Sequence, residues 1–219
     1  MADREIRTGA DMVDTLAFIL AKHDGDRTHH RLELPDYGRY DLASWFGQLG
    51  FKVGAEVGVQ KGKFARVICM KNPGVKLYAI DPWRPYADIP CDQEEMDAFE
   101  TQTRERLEPY KTVIMKMTSL EAADMIEDGS LDFVYLDGQH DFINVTQDLH
   151  AWSPKVRSGG IIAGHDFLKP RRPTGNLHVA YVVNAWTEAF FIDPWFRLGN
   201  SHTSDRVRDG YRSYFWVKP

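Results

Sequence analysis

Four acidic residues stand where a parallel α/β sheet does its chemistry. Glu56, Asp81, Asp137 and Asp166 each fall at or just past the end of a short apolar run: KVGAEV, KLYAID, LDFVYLD and IIAGHD. If each run is a strand, the four carboxylates converge on the crevice outside the strand carboxyl ends, where open parallel sheets bind ligands. His140 closes the sequence Asp137-Gly138-Gln139-His140. A carboxylate pair such as Asp137 and Asp166 can share a hard cation, which takes oxygen ligands and keeps several waters. A histidine beside it, with an ordinary pKa of about 6.5, can take a proton near neutral pH.

The first acid belongs to a longer pattern. Glu56, Gly58 and Gly62 form E-x-G-x-x-x-G within KVGAEVGVQKGKFA. That reads as a strand, a glycine turn and the start of a helix whose free N–H groups face the turn. An ordinary βα turn with two glycines is the bland alternative. Asp81 ends the second strand, where a carboxylate can accept two ribose hydroxyls; a turn aspartate before Pro82 is the alternative. Trp83 can cover an adenine face or belong to the core, and Ser119 can touch an adenine edge or cap its helix. The dinucleotide spacing G-x-G-x-x-G is absent, because Val59, Gln60 and Lys61 follow Gly58. An acid inside this loop would also repel a pyrophosphate. It suits a cofactor bearing an ammonium and a sulfonium, and S-adenosylmethionine has both, with a ribose for Asp81.

Positioning these residues takes alternating strands and helices. Residues 11–22 predict a helix with Met12, Leu16 and Ile19 on one face, and 41–49 a second. Between them His23–Arg31 reads as a solvated polar loop; His29 and His30 lack a third metal ligand at suitable spacing. Helices follow at Lys63–Lys71, Asp92–Leu107, Ser119–Glu127, Phe142–Val156 and Asn176–Phe190, with strands at Lys76–Asp81, Thr112–Met117, Leu131–Leu136 and in IIAG. Strand and helix alternate five times, the signature of a parallel sheet with right-handed crossovers. Trp195–Leu198 and Tyr214–Val217 break the rhythm as two strands with no helix between them, an antiparallel hairpin at the sheet edge. Phe167–Asn176, with its prolines and Lys169, Arg171 and Arg172, reads as a basic loop able to act as a lid. The expected division is a helical and loop extension over 1–40 and one catalytic domain over 41–219.

Bulk properties bound the rest. The chain has 219 residues, 43% of them hydrophobic, and a formal charge of −5. That balance argues against nucleic-acid or anionic-membrane partners, which need a positive field. Cys69 and Cys91 form no metal or disulfide pattern, and the charged N-terminus has no apolar signal core, so a cytoplasmic protein is expected. The aromatics Trp186, Phe190, Phe191, Trp195 and Phe196 belong to the core, an acceptor pocket or a homo-oligomer interface.

From about residue 41 onward the sequence resembles class I S-adenosylmethionine-dependent methyltransferases. YAIDPW, LDFVYLDGQHDFINVTQDLHAW, VRSGGIIAGHDF and YFWVK look like the subgroup that includes macrolide-sugar O-methyltransferases. The resemblance implies a Rossmann-like, mostly parallel seven-stranded sheet with a C-terminal antiparallel hairpin. It implies that Glu56, Gly58 and Gly62 hold the methionine part and Asp81 the ribose; Trp83, Ser119 and Asp137 are the further candidates for cofactor contact. Asp137 and Asp166 would be magnesium ligands and His140 the base, acting on a hydroxyl of a small-molecule acceptor, a sugar or natural-product glycoside. The chain departs from some metal-dependent relatives in having His165-Asp166 where they have two consecutive ligands. A metal-free Asp166/His140 pair, N-methylation, and a silent cofactor-binding scaffold are the other readings.

Overall fold

The computed structural model describes residues 14–25, 27–86, 90–169, 176–199 and 211–219. Its elements are α1 (Thr15–Leu20), β1 (Arg31–Leu34), α2 (Arg39–Gln48), β2 (Val53–Val57), α3 (Lys63–Lys71), β3 (Lys76–Ile80) and α4 (Gln93–Leu107). There follow β4 (Thr112–Met115), α5 (Ser119–Asp124), β5 (Leu131–Leu136), α6 (Phe142–Trp152), β6 (Val156–Gly164), α7 (Val179–Ala189), β7 (Trp195–Leu198) and β8 (Tyr214–Val217). The strands form one sheet in the order β1-β7-β8-β6-β5-β2-β3-β4. Only β8 runs antiparallel to its neighbours, β6 and β7.

The fold is the expected Rossmann-like one with its C-terminal antiparallel hairpin, but the sheet has eight strands rather than seven. The extra strand is β1, which pairs parallel with β7 within the stretch expected to be an extension. Its signal was a short alternation: Leu32 and Leu34 are buried while Arg31 and Glu33 face outward. Glu33 there accepts from Arg31 and Arg197. Four residues of period two beside a polar loop are easily read as more loop.

The sheet is covered on both faces, as parallel strands require. All six residues of β5 are buried. Phe133 and Tyr135 point into the core under α1 to α4, while Leu131, Val134 and Leu136 point into the core under α5 to α7. Trp195 and Phe196 join these cores, whereas Phe190 and Phe191 stay exposed past α7. Of the helix expected over 11–22, Met12 and Val13 lie outside the described residues. His30 pairs with Asp193 on the surface rather than with a metal-ligand set. Among the described residues no helix is long and apolar enough to cross a membrane.

The strand order places the site. From β2 the chain winds outward through β3 and β4, then returns through β5 on the other side of β2. The connections therefore diverge between β2 and β5, opening a crevice at their carboxyl ends. The opposite ends are pinned by Asp132, which accepts the Lys52 and Val53 amides and pairs with Arg157.

Candidate active site

Four of the five residues first singled out are strand-end acids, and the structure brings all five together. A cavity of about 210 Å³ lies over the β2/β5 crevice, and Glu56, Asp81, Asp137, His140 and Asp166 all line it. Gly58 lines it as well. Gly62 sits just behind, as the left-handed N-cap of α3.

Gly58 is obligatory for a steric reason. Its φ is +88°, and a Cβ there would fall 2.0 Å from the Asp137 carbonyl oxygen. Asp137 N–H in turn donates to Val57 O at 2.8 Å, so the β2 and β5 ends touch backbone to backbone. This contact fixes the spacing of Glu56 and Asp137, which both line the cavity.

The glycine loop is held from below by Asp81. One carboxylate oxygen accepts the Gln60 amide at 2.8 Å and the other the Trp83 amide at 2.7 Å. Each oxygen keeps a further lone pair, so the turn role and a ligand role are compatible. Trp83 does not line the cavity: its ring is fully buried and its Nε1–H donates to Gln60 O, bracing the loop. Ser119 is also turned away. Thr118, not Ser119, caps α5, and Ser119 Oγ donates to Asp148 at 2.5 Å while accepting Trp152 Nε1–H at 2.8 Å.

Asp148 adds a prediction. Burial pushes its carboxyl up to about 6, despite the Ser119 hydrogen bond. A group raised on folding adds stability at pH values below its unfolded pKa, and that contribution disappears as pH rises through the folded value. Asp148→Asn keeps an acceptor for Ser119 and should stabilise the fold by about 1–3 kcal/mol at pH 8. Urea unfolding at pH 5 and pH 8 checks it; the gain should shrink at the lower pH.

Glu56 is the most unusual group. It is 2% exposed, and its Oε2 is buried without a hydrogen-bond partner. Burial, reinforced by the Asp137 and Asp81 charges, holds its carboxyl well above the usual range, with Arg39 opposing. His140 Nε2 lies 3.0 Å from Asp166 and 4.0 Å from Asp137. The Asp166 contact is close enough for an ion pair but out of line for a hydrogen bond. Burial alone would lower the His140 pKa; the two carboxylates outweigh it and push the imidazole up to about 10. Burial likewise works to raise Asp166, but His140 and His165 hold it far below the usual carboxylate range. His165 is buried, with Nδ1 3.2 Å from Asp166 and 3.6 Å from Asp137. Asp166 itself adopts φ +56°, a left-handed conformation that costs energy outside glycine and clusters at functional sites.

Two contributors lie outside the strand-end pattern. Arg39, at the start of α2, lines the cavity and reaches Asp137 at 3.5 Å. His165 looks like a strand residue in IIAGHD, and only its adjacency to Asp166 hinted at a part in the site. Of the expected basic lid, Arg171 and Arg172 lie outside the described residues, while Lys169 Nζ sits 5.7 Å from the Tyr181 ring centre.

Comparison with known proteins bears on the family and the fold. Residues 55–167 match the family described as Methyltransferase domain. The chain is 24% identical over 167 residues to the uncharacterized protein y4gI of Sinorhizobium fredii (strain NBRC 101917 / NGR234); this covers 76% of the chain but 17% of that relative. The chain thus spans about a sixth of the curated relative's length. Its fold is similar to that of an O-methyltransferase from Bacillus cereus solved in complex with SAH, at 15% identity and TM-score 0.60, covering 93% of this chain and 87% of that one. It is similar also to TomG from Streptomyces achromogenes, an O-methyltransferase involved in tomaymycin synthesis and solved with SAM. That match has 12% identity and TM-score 0.60, covering 83% and 80% of the two chains.

Proposed function

The chain belongs to the methyltransferase-domain family, and from that premise we propose that it moves a methyl group from S-adenosylmethionine to a hydroxyl of a small molecule, such as a sugar or a natural-product glycoside. The observation behind this reading is Glu56. A buried carboxylate oxygen without a partner is costly unless a cation or donor reaches it. The donor's ammonium would supply that, its sulfonium would sit among the acids, and the free lone pairs of Asp81 would take ribose hydroxyls. Trp83 then braces the cofactor loop through Gln60, and Ser119 ties α5 to α6, neither lining the cavity. Calorimetry with S-adenosylmethionine and its demethylated product tests the donor; absence of heat from both would sink the reading. A methyl-acceptor screen then identifies the class of hydroxyl.

The chemistry asked of the protein is alignment and proton control. Holding the acceptor oxygen in line with the sulfonium methyl is worth ~7–11 kcal/mol. For the proton, one ligand atom each of Asp137, His140 and Asp166 lies within 4.8 Å of the others, a donor set that fits a divalent ion. Asp137 and Asp166 would hold magnesium, whose charge would acidify and orient an acceptor hydroxyl. As His140 stands, the two carboxylates keep it charged at neutral pH, so it can donate but not accept a proton. It becomes a base only when their charge is offset.

This makes a prediction with a definite sign. The proton that Asp137 and Asp166 hold on His140 must leave when a cation takes their charge. Magnesium affinity should therefore rise with pH, by up to about tenfold per unit below the imidazole's pKa. Calorimetry at pH 7, 8 and 9, with proton release read from buffers of different ionisation enthalpy, measures it. A flat profile with no proton release would remove the cation from this cluster.

His165 favours a second, metal-free reading. With His140 it sets two imidazoles against the two carboxylates. In that arrangement His140 orients the acceptor as a hydrogen-bond donor. Turnover that survives a chelator would select this version.

A further inference from the structure

The cavity that suits a cation also has to receive an anion. An S-adenosylmethionine molecule bound as proposed brings a carboxylate beside its ammonium, and Glu56 and Asp137 would both repel it. Besides the His140 imidazolium, already engaged by Asp166 and Asp137, three cations line the same cavity: Arg39, Lys61 and Lys63. Lys61 Nζ lies 4.1 Å from the Phe99 ring centre, engaged in a cation–π contact on α4. Lys63 is exposed on the first turn of α3, a compact charge on a flexible stem.

Arg39 is placed differently. It opens α2 directly after the N-cap Gly38, and its guanidinium lies 5.2 Å from the Phe64 ring centre and 5.9 Å from that of Tyr40. Its side chain is 28% exposed. The Asp137 contact, at 3.5 Å, is at the outer limit of a hydrogen bond, and it orients the fork. A planar, aromatic-backed, partly desolvated guanidinium is the side chain best suited to bidentate carboxylate binding.

We propose that Arg39 grips the carboxylate at the methionyl end of the donor, so that Glu56 and Arg39 together read a zwitterion. The site then selects a donor with an intact amino-acid end over its decarboxylated counterpart, which keeps ammonium, sulfonium, ribose and adenine. The inference rests on the S-adenosylmethionine reading above and adds to it a residue that no glycine-loop motif contains.

The experiment is a calorimetric comparison of S-adenosylmethionine with decarboxylated S-adenosylmethionine on the full chain, for wild type, Arg39→Met, Arg39→Lys and Lys63→Met. Charge-assisted hydrogen bonds imply that wild type prefers the carboxylated donor by on the order of tenfold to a hundredfold. Arg39→Met should bring the ratio near one while binding the decarboxylated donor about as wild type does. Arg39→Lys should fall between, and Lys63→Met should keep the preference. Thermal unfolding of each variant confirms that the fold survives. A ratio unchanged in Arg39→Met, equal weakening of both donors, or collapse of the preference in Lys63→Met instead would each overturn the assignment. If wild type binds neither donor, the S-adenosylmethionine reading falls and takes this inference with it; if it binds both equally, this inference alone falls.

Discussion

Alanine at His140 should cut turnover by about 100-fold or more while leaving donor affinity nearly unchanged. The imidazole lies 3.0 Å from Asp166 and 4.0 Å from Asp137, in the lining of the same cavity as Asp81. The groups that would grip the donor, Glu56 and Asp81, make no direct contact with it among the described residues. Both chemical readings nevertheless need it. With a cation held by Asp137 and Asp166 it would take the acceptor proton; without one it would be the charged donor that orients the acceptor hydroxyl. Single-turnover kinetics with a radiolabelled methyl group, run beside calorimetry of donor binding, separates rate from affinity. An unchanged rate would remove His140 from the mechanism and revive the scaffold reading, in which the cluster has no proton to manage. Equal losses of rate and affinity would make it a structural residue. Repeating the wild-type assay with a chelator then chooses between the two chemical versions.

Gly58→Ala should do still broader damage, costing about 3 kcal/mol or more of stability and abolishing donor binding. The added Cβ would meet the Asp137 carbonyl oxygen at 2.0 Å, its carbon at 2.4 Å and Gly138 Cα at 2.8 Å. All three are backbone atoms, so no side chain can swing aside. Relief requires the β2 and β5 ends to part at the point where they frame the cavity. Gly62→Ala is the informative contrast. Its φ of +66° is also unfavourable for alanine, but the nearest atoms belong to the Thr103 side chain, beginning at 3.1 Å. It should cost about 1–2 kcal/mol and leave binding measurable. Urea unfolding and donor calorimetry on the two variants check the ranking, and equal effects would show that the β2/β5 contact is not what constrains Gly58.

The contrast between these glycines also shows what was legible beforehand. The strand-end acids could be read because each closes an apolar run, and parallel topology sends the ends of such runs to one rim. Gly58 and Gly62 could be placed by spacing, but the reason Gly58 must be glycine lies 79 residues away in Asp137 (137 − 58 = 79). Trp83 and Ser119 were at legible positions with illegible orientations, since side-chain direction depends on partners such as Gln60 and Asp148. The β1 strand was missed because two leucines in a four-residue alternation carry little signal until β7 provides a neighbour. Arg39 was invisible for a related reason: nothing local distinguishes it from any arginine at the start of a helix. The protonation of His140 was misjudged at first sight as that of an ordinary imidazole near neutrality. Its pKa is set by two carboxylates from different strands, which spacing alone does not reveal.

The position of β8 has a consequence for how the polypeptide is made. It lies between β6 and β7 and, among the described residues, supplies the only ladder joining the β1/β7 ribbon to the rest of the sheet. When a ribosome has delivered everything through Leu198, the nascent chain has five adjacent strands on one side and a separate two-stranded ribbon on the other. The gap closes only when Tyr214–Val217 emerge and thread between them, a step dominated by contacts distant in sequence and therefore slow. Until β8 is in place both flanking edges offer unpaired amides and carbonyls to any other strand, so this strand order carries its aggregation hazard at the edges of β6 and β7.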